Sequence, residues 1–124
     1  MSKVAFYRCE RCGNIVTVLN NGGGTLVCCG QDMTELVANT TDAAKEKHVP
    51  DVTIEDGKIK VAVGSVLHPS VEEHYIQWIA LATEDKVWVN YLEPGMEPTT
   101  EFPEVKSGAI YEYCNLHGLW KAEF

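Results

Sequence analysis

Lys58-Ile59-Lys60-Val61-Ala62-Val63 alternates between large apolar residues and polar or small ones, which puts Ile59, Val61 and Val63 on one face of a strand. Val87-Trp88-Val89-Asn90-Tyr91, rich in β-branched and aromatic residues, reads as a further alternating strand. His74-Tyr75-Ile76-Gln77-Trp78-Ile79-Ala80-Leu81 is apolar enough to be a buried strand. Ala109-Ile110-Tyr111-Glu112-Tyr113 reads as a last long strand that feeds Cys114. Glu93-Pro94-Gly95 is a turn signal between strands. From about Val49 onward, several short strands separated by turns predict an antiparallel β-sandwich. No heptads and no long amphipathic helix interrupt the pattern.

The first 38 residues do not share it. They are rich in glycine (Gly13, Gly22, Gly23, Gly24, Gly30) and too few to bury much apolar surface. Segments of this size usually need a metal or disulfide staple. Asn39-Thr40-Thr41-Asp42 reads as a linker, with Asp42 placed to cap a short turn through Ala43, Ala44 and Lys45. The expected organisation is therefore a small domain over 1–38 and a sandwich over 39–124.

Charge and composition narrow the function. Ten Lys and Arg against eighteen Asp and Glu give the 124 residues a net charge of -8. That argues against general nucleic-acid binding, which needs a basic footprint, and against docking on anionic membranes. No stretch approaches the roughly 20 apolar residues of a membrane span. The start, Met1 to Cys9, lacks the apolar run of a signal peptide, so the expected compartment is the cytoplasm. Disulfides are rare there, and clustered cysteines usually bind metals or do chemistry. The chain has five cysteines, an odd number that cannot all pair internally, and four histidines.

Four of the cysteines fall in the first segment. Cys9-Glu10-Arg11-Cys12-Gly13 is a knuckle that turns two thiolates toward one ion, and Gly13 tolerates the backbone that this needs. Cys28 and Cys29 add two more across a loop of fifteen residues. Four thiolates suit zinc or iron in a tetrahedral site. A structural zinc ribbon is the plain alternative. A disulfide pair or thioredoxin-like centre fits less well, because the second pair is not C-x-x-C. Neighbouring cysteines cannot both point freely, so a distorted tetrahedron is expected.

All four histidines, His48, His68, His74 and His117, fall in the second segment with Cys114. Singly, each has a bland reading: His48 and His68 as loop residues, His74 as a satisfied core group, Cys114 as a small buried hydrophobe. Cys114-Asn115-Leu116-His117-Gly118 changes this. C-x-x-H at a strand end is a metal-ligand loop, with Gly118 closing the turn. The N–H groups of residues 116 and 117 should face the Cys114 sulfur. His68 and His74 flank a proline-containing loop that could bring both rings to one end of a sandwich. One thiolate with up to four imidazoles suits a redox metal, because structural zinc is saturated by four ligands. A blue-copper site is the competing reading, but the candidate axial residues Met33 and Met96 both lie outside the C-x-x-H loop.

Six stretches together resemble the desulfoferrodoxins, the two-iron superoxide reductases. They are Phe6 to Val16, Leu26 to Gly30, Asn39 to Pro50, Val63 to Pro69, His74 to Ile79 and Tyr113 to Trp120. The resemblance runs almost end to end and covers every Cys and His. It implies a mainly β protein: a small desulforedoxin-like metal-bound N-terminal domain plus an immunoglobulin-like antiparallel β-sandwich. It implies two irons per chain. One would be held by Cys9, Cys12, Cys28 and Cys29. The other would have His48, His68, His74 and His117 in its equatorial plane, axial Cys114, and an open sixth position in the ferrous state. It also implies a homodimer and rubredoxin-type electron donors. One residue departs from the pattern: Ser70 follows Pro69 where methionine is expected.

The activity so implied is reduction of superoxide to hydrogen peroxide without release of dioxygen. An electron-transfer protein with two iron centres and no substrate chemistry is the alternative. An acidic protein repels an anionic substrate at long range. Attraction must then be local, and Lys47, beside His48, is expected to supply it. The resemblance gives Glu46 the sixth position once the iron is ferric. The plain reading of both residues is a solvated surface pair.

Overall fold

A computed structural model describes residues 4–41, 43 and 45–124. The chain divides after Val37 into two compact units. Asp42 and Ala44 lie outside the described residues, and the expected cap at Asp42 lies there with them.

The first unit is built from very short strands: β1 (Phe6–Arg8), β2 (Ile15–Thr17), β3 (Val27–Cys28), β4 (Gln31–Asp32) and β5 (Thr34–Glu35). β1 is the centre of a three-stranded antiparallel sheet in the order β2-β1-β5, and β3 pairs with β4. Only Phe6 and Cys9 are buried among its described residues, so its apolar core is close to a single phenylalanine.

The second unit opens with one helical turn, α1 (Lys45–His48), followed by β6 (Pro50–Glu55), β7 (Lys58–Val63), β8 (Ile76–Ala82), β9 (Val87–Tyr91), β10 (Thr99–Pro103), β11 (Ala109–Cys114) and β12 (Gly118–Glu123). These form two antiparallel sheets, β10-β7-β6 and β12-β11-β8-β9. The alternation in β7 is realised as read: Ile59, Val61 and Val63 are buried and face Ile76, Ile79 and Leu81 of β8 and Ile110 of β11 in one core. β11 is buried along its whole length. Its Glu112 is enclosed with no hydrogen-bond partner for either carboxylate oxygen among the described residues, and burial holds its pKa well above the usual carboxylate range.

The strand expected from His74 starts two residues later, at Ile76. His74 instead pairs with Val71 in a tight loop. The N–H of Tyr75 is taken by the side chain of Asn115 rather than by a sheet ladder. Between β8 and β11 the register shifts at the far end: Tyr113 faces Trp78 but Cys114 faces Ile76. The irregularity lies beside the cluster that holds Cys114, where bulges commonly re-aim a side chain.

Candidate metal centres

Cys9, Cys12, Cys28 and Cys29 converge, with their sulfurs within 4.8 Å of one another. The Gly13 N–H closes the knuckle on the Cys9 carbonyl at 2.9 Å, with Gly13 at φ +83°. Cys12–Cys28 and Cys28–Cys29 sulfur distances are 3.6 and 3.9 Å. These bracket the edge of about 3.8 Å of a regular tetrahedron whose metal–sulfur bonds are about 2.3 Å. Cys29 adopts a left-handed backbone, φ +54°, with Gly30 at +71°, and this turns its sulfur back toward Cys28.

The electrostatics of the four sulfurs are those of a cation site. The backbone N–H of Cys12 lies 3.4 Å from the Cys9 sulfur. That N–H, with help from Arg11, lowers the Cys9 pKa to about 6. Cys29 is pushed up to about 12, first by Cys12 and then by Cys28 and Cys9. One thiolate is thus made easy, and the next is opposed by the sulfurs around it. A central cation relieves that opposition, so the donor set fits a metal.

The second cluster gathers His48, His68, His74, Cys114 and His117 at one end of the sandwich, with ligand atoms again within 4.8 Å of one another. His48 ends α1, His68 and His74 flank the loop before β8, and Cys114 and His117 flank the β11–β12 turn. The rings form a closed cycle. His48–His68, His68–His74, His74–His117 and His117–His48 centroids lie 4.7, 4.5, 5.1 and 4.8 Å apart, all edge to face. His48 and His74, across the cycle, are 6.4 Å apart and inclined by only 30°.

Inward nitrogens of adjacent rings are 3.0 Å (His48 Nε2 to His117 Nδ1) and 3.2 Å (His48 Nε2 to His68 Nε2) apart. Four nitrogens bound at about 2.1 Å in a square would have edges of about 3.0 Å. The Cys114 sulfur contacts two opposite members of the cycle, His68 Nε2 at 3.3 Å and His117 Nδ1 at 3.9 Å. It is wholly buried, while His74 and His117 are partly exposed.

Protonation fits as well. His68 donates Nδ1–H to the Pro69 carbonyl at 2.7 Å, so in the neutral ring the lone pair of Nε2 points inward. Burial lowers the His68 pKa to about 4, against the opposing pull of that hydrogen bond. His74 is also lowered, by burial first and then by the charges of His117 and Lys47. Its buried Nε2 has no hydrogen-bond partner among the described residues. A buried ring nitrogen left without a partner at the centre of such a cycle is the donor a metal would use. Cys114 is raised by burial, opposed by the N–H groups of Leu116 and His117, as the loop reading expected. His48 and His68, plausible as exposed loop residues, are instead buried.

Three further side chains support the cluster, and two of them, Trp120 and Asn115, were not singled out from the sequence. Trp120 stacks on the His48 ring at 4.9 Å and donates its indole N–H to the His117 carbonyl at 3.1 Å, so one buried side chain orients two ring-bearing residues. Asn115 accepts from Tyr75 N–H at 2.9 Å and donates to the Glu73 carbonyl at 3.0 Å, tying the C-x-x-H loop to the segment bearing His74. The signal for Asn115 was available, because asparagine side chains commonly organise turns. Ser70 is the third: its hydroxyl oxygen accepts from Gly95 N–H at 3.0 Å and joins the loop after His68 to the β9–β10 turn. Glu46 and Lys47 are both exposed, two residues and one residue before His48 respectively.

Comparison with known proteins agrees with this geometry. The family model described as desulfoferrodoxin matches residues 40–123, and the one for the desulfoferrodoxin N-terminal domain matches 2–36. A desulfoferrodoxin of Desulfarculus baarsii is 54% identical over 122 residues, which is 98% of this chain and 97% of that protein. A protein named superoxide reductase from Pyrococcus horikoshii is 36% identical over 98 residues, 63% of this chain and 85% of its own. The crystal structure of the superoxide reductase from Treponema pallidum superposes with a TM-score of 0.77 at 32% identity, covering 97% of this chain and 98% of that one. Two family models that together match nearly every residue, and a relative more than half identical along almost its full length, place this chain in the desulfoferrodoxin family.

Proposed function

We infer that this chain is a superoxide reductase. It consumes superoxide, one electron and two protons and gives hydrogen peroxide, with no dioxygen released. It carries two irons, one among the four cysteines and one among the four histidines and Cys114. The single observation that carries the reading is the closed cycle of four imidazoles over a buried thiol, with the His74 Nε2 left unpartnered toward its centre. When bound there, iron supplies the electron and a coordination position that the five protein donors leave unfilled.

The remaining work falls to the chain. The Pro69 carbonyl fixes the His68 tautomer, and Trp120 holds His48 and His117 in orientation. The N–H groups of Leu116 and His117 temper the charge of Cys114. We propose that Lys47 collects the anionic substrate. Its ammonium already bears on His74, and a cation within a Debye length, about 8 Å at physiological salt, outweighs distant carboxylates. Glu46 is proposed to occupy the sixth position in the ferric state, because a harder cation prefers an oxygen ligand. The domain division is proposed as 1–38 for the four-cysteine site and 39–124 for the reactive one. A rubredoxin-type carrier is proposed as the electron donor, and the cytoplasm as the compartment. A homodimer is also proposed: Val16, Leu19, Val27 and Val37 of the small unit are exposed, Leu19 at 95%.

Metal analysis with a superoxide titration tests the reading. Two irons per chain, with oxidation of one by one equivalent of superoxide and peroxide as product, are expected. A colourless zinc protein would overturn it. An iron protein that neither binds azide nor reacts with superoxide would instead be a two-centre electron carrier.

A further inference from the structure

The peptide that joins Glu46 to Lys47 is gripped from outside its helix. Within α1 the Glu46 carbonyl would be paired by the N–H four residues on, but that residue is Pro50, which has none. The neighbouring Lys45 carbonyl is satisfied in the regular way by Val49 N–H at 2.9 Å. The orphaned Glu46 carbonyl receives two donors from another loop: the Val66 N–H at 2.9 Å and the Ser65 hydroxyl at 3.3 Å. The approach is so close that a Cβ on Gly64 would stand 2.5 Å from the Glu46 oxygen, 2.9 Å from the Lys47 carbonyl carbon and 3.0 Å from that of Glu46. All three obstacles are backbone atoms, which cannot rotate away. The same loop is closed by His68 N–H on the Val63 carbonyl at 2.8 Å. One short segment therefore ties down both the backbone of His68 and the peptide between Glu46 and Lys47.

We infer that Gly64 and Ser65 are positioning residues: with the Val66 N–H they latch the Glu46–Lys47 peptide in place relative to the histidine cycle. The inference rests on the proposed roles of Lys47 and Glu46. It adds that those side chains act from a fixed backbone rather than from a freely moving surface turn. The latch supplies from outside the support that one turn of helix, too short to persist alone, lacks.

The test compares wild type with Gly64→Ala, Ser65→Ala and Ser65→Thr as full-length, iron-loaded proteins, with Lys47→Ala and Glu46→Ala as benchmarks. Three quantities are read. They are amide hydrogen exchange of the peptide containing residues 64–67, the salt dependence of the encounter rate with superoxide, and the visible band of the ferric form. Gly64→Ala is expected to exchange about tenfold faster there, since a backbone hydrogen bond is lost. Its encounter rate should fall toward that of Lys47→Ala with a flatter salt dependence, and its ferric band should move toward that of Glu46→Ala. Ser65→Ala is expected to move the same way by about twofold, because the longer hydroxyl bond is the weaker one, and Ser65→Thr should restore wild type.

Faster exchange in either variant with wild-type encounter, salt dependence and ferric band would overturn the latch. If Gly64→Ala fails to hold iron, the two Ser65 variants decide by the same criteria, and unchanged exchange in Ser65→Ala also overturns it. A Lys47→Ala protein with wild-type encounter sinks the role of Lys47, not the latch. The latch then stands or falls on the ferric band alone.

Discussion

The two metal centres of this chain are made in opposite ways. In the small unit, strands of two and three residues surround four cysteines, and the buried apolar side chains are little more than Phe6. In the sandwich, strands of five to seven residues build a continuous core, and the site is set at its edge on one helical turn and two loops. The first site makes its scaffold, and the second is made by its scaffold. The ligand sets follow the same division. Four thiolates complete a tetrahedron and leave no vacancy, which suits holding. Five donors from a square and one side of it leave a position free, which suits reaction.

Removing the metals should break the comparison most visibly. Structural metal sites contribute on the order of 10–16 kcal/mol to folding, more than the small unit can recover from its own core. Cys9→Ser, or chelation of the reduced protein, is therefore expected to unfold the small unit while the sandwich keeps a cooperative thermal transition. Calorimetry checks this by the loss of one transition and the survival of the other. If both units stayed folded without metal, the claim that the first site makes its scaffold would be wrong.

Cys114→Ser comes next in size. The sandwich should stay folded, because a buried hydroxyl nearly matches the thiol in volume. The sulfur-to-iron visible band should vanish, and superoxide reduction should fall by more than the roughly 10- to 100-fold that loss of a supporting partner costs a metal site. Spectra and stopped-flow rates on the same sample separate this from simple metal loss. A mutation deep in the core sharpens the other half of the comparison. Ile79→Ala, at a fully buried position between the sheets, should cost the sandwich about 2–5 kcal/mol. The small unit's transition should not move.

The same contrast decides what the sequence revealed. The four cysteines lie within one short stretch, so their spacing alone predicted a shared ion. The pair Cys114 and His117 was equally local. His48, His68 and His74 are brought to that pair only by the sheets, and no local spacing encodes the meeting; the likeness to a family supplied it. Strand β7 was legible because alternating residues face a core and solvent in turn, whereas in β9 the apolar Val87, Val89 and Tyr91 are exposed and Trp88 is the residue that packs on the core. β10 was not legible: Thr99-Thr100-Glu101-Phe102-Pro103 buries only Phe102, and its polar run resembles a loop. The clamp on the Glu46 carbonyl was invisible for a different reason. It depends on two backbones approaching within reach, and Gly64 and Pro50 acquire their meaning only once the loops are placed.

The smallest effects probe the solvent side of the reactive site. Lys47→Ala should slow the encounter with superoxide several-fold at low ionic strength and by less in salt, because screening already weakens a surface charge. Pulse radiolysis across a salt series measures this, and identical slopes in both proteins would remove Lys47 from substrate capture. Glu46→Ala should leave the encounter nearly unchanged yet shift the ferric visible spectrum, since the role proposed for its carboxylate begins only after the electron has gone. The two substitutions are adjacent in sequence, and both side chains are exposed, so a general disturbance of the turn would move both readouts in both variants. Separate effects, rate for the lysine and spectrum for the glutamate, would show that this site assigns different steps to neighbouring side chains. The saturated cysteine site offers no counterpart: a charge change beside it, such as Glu10→Gln, should alter neither quantity.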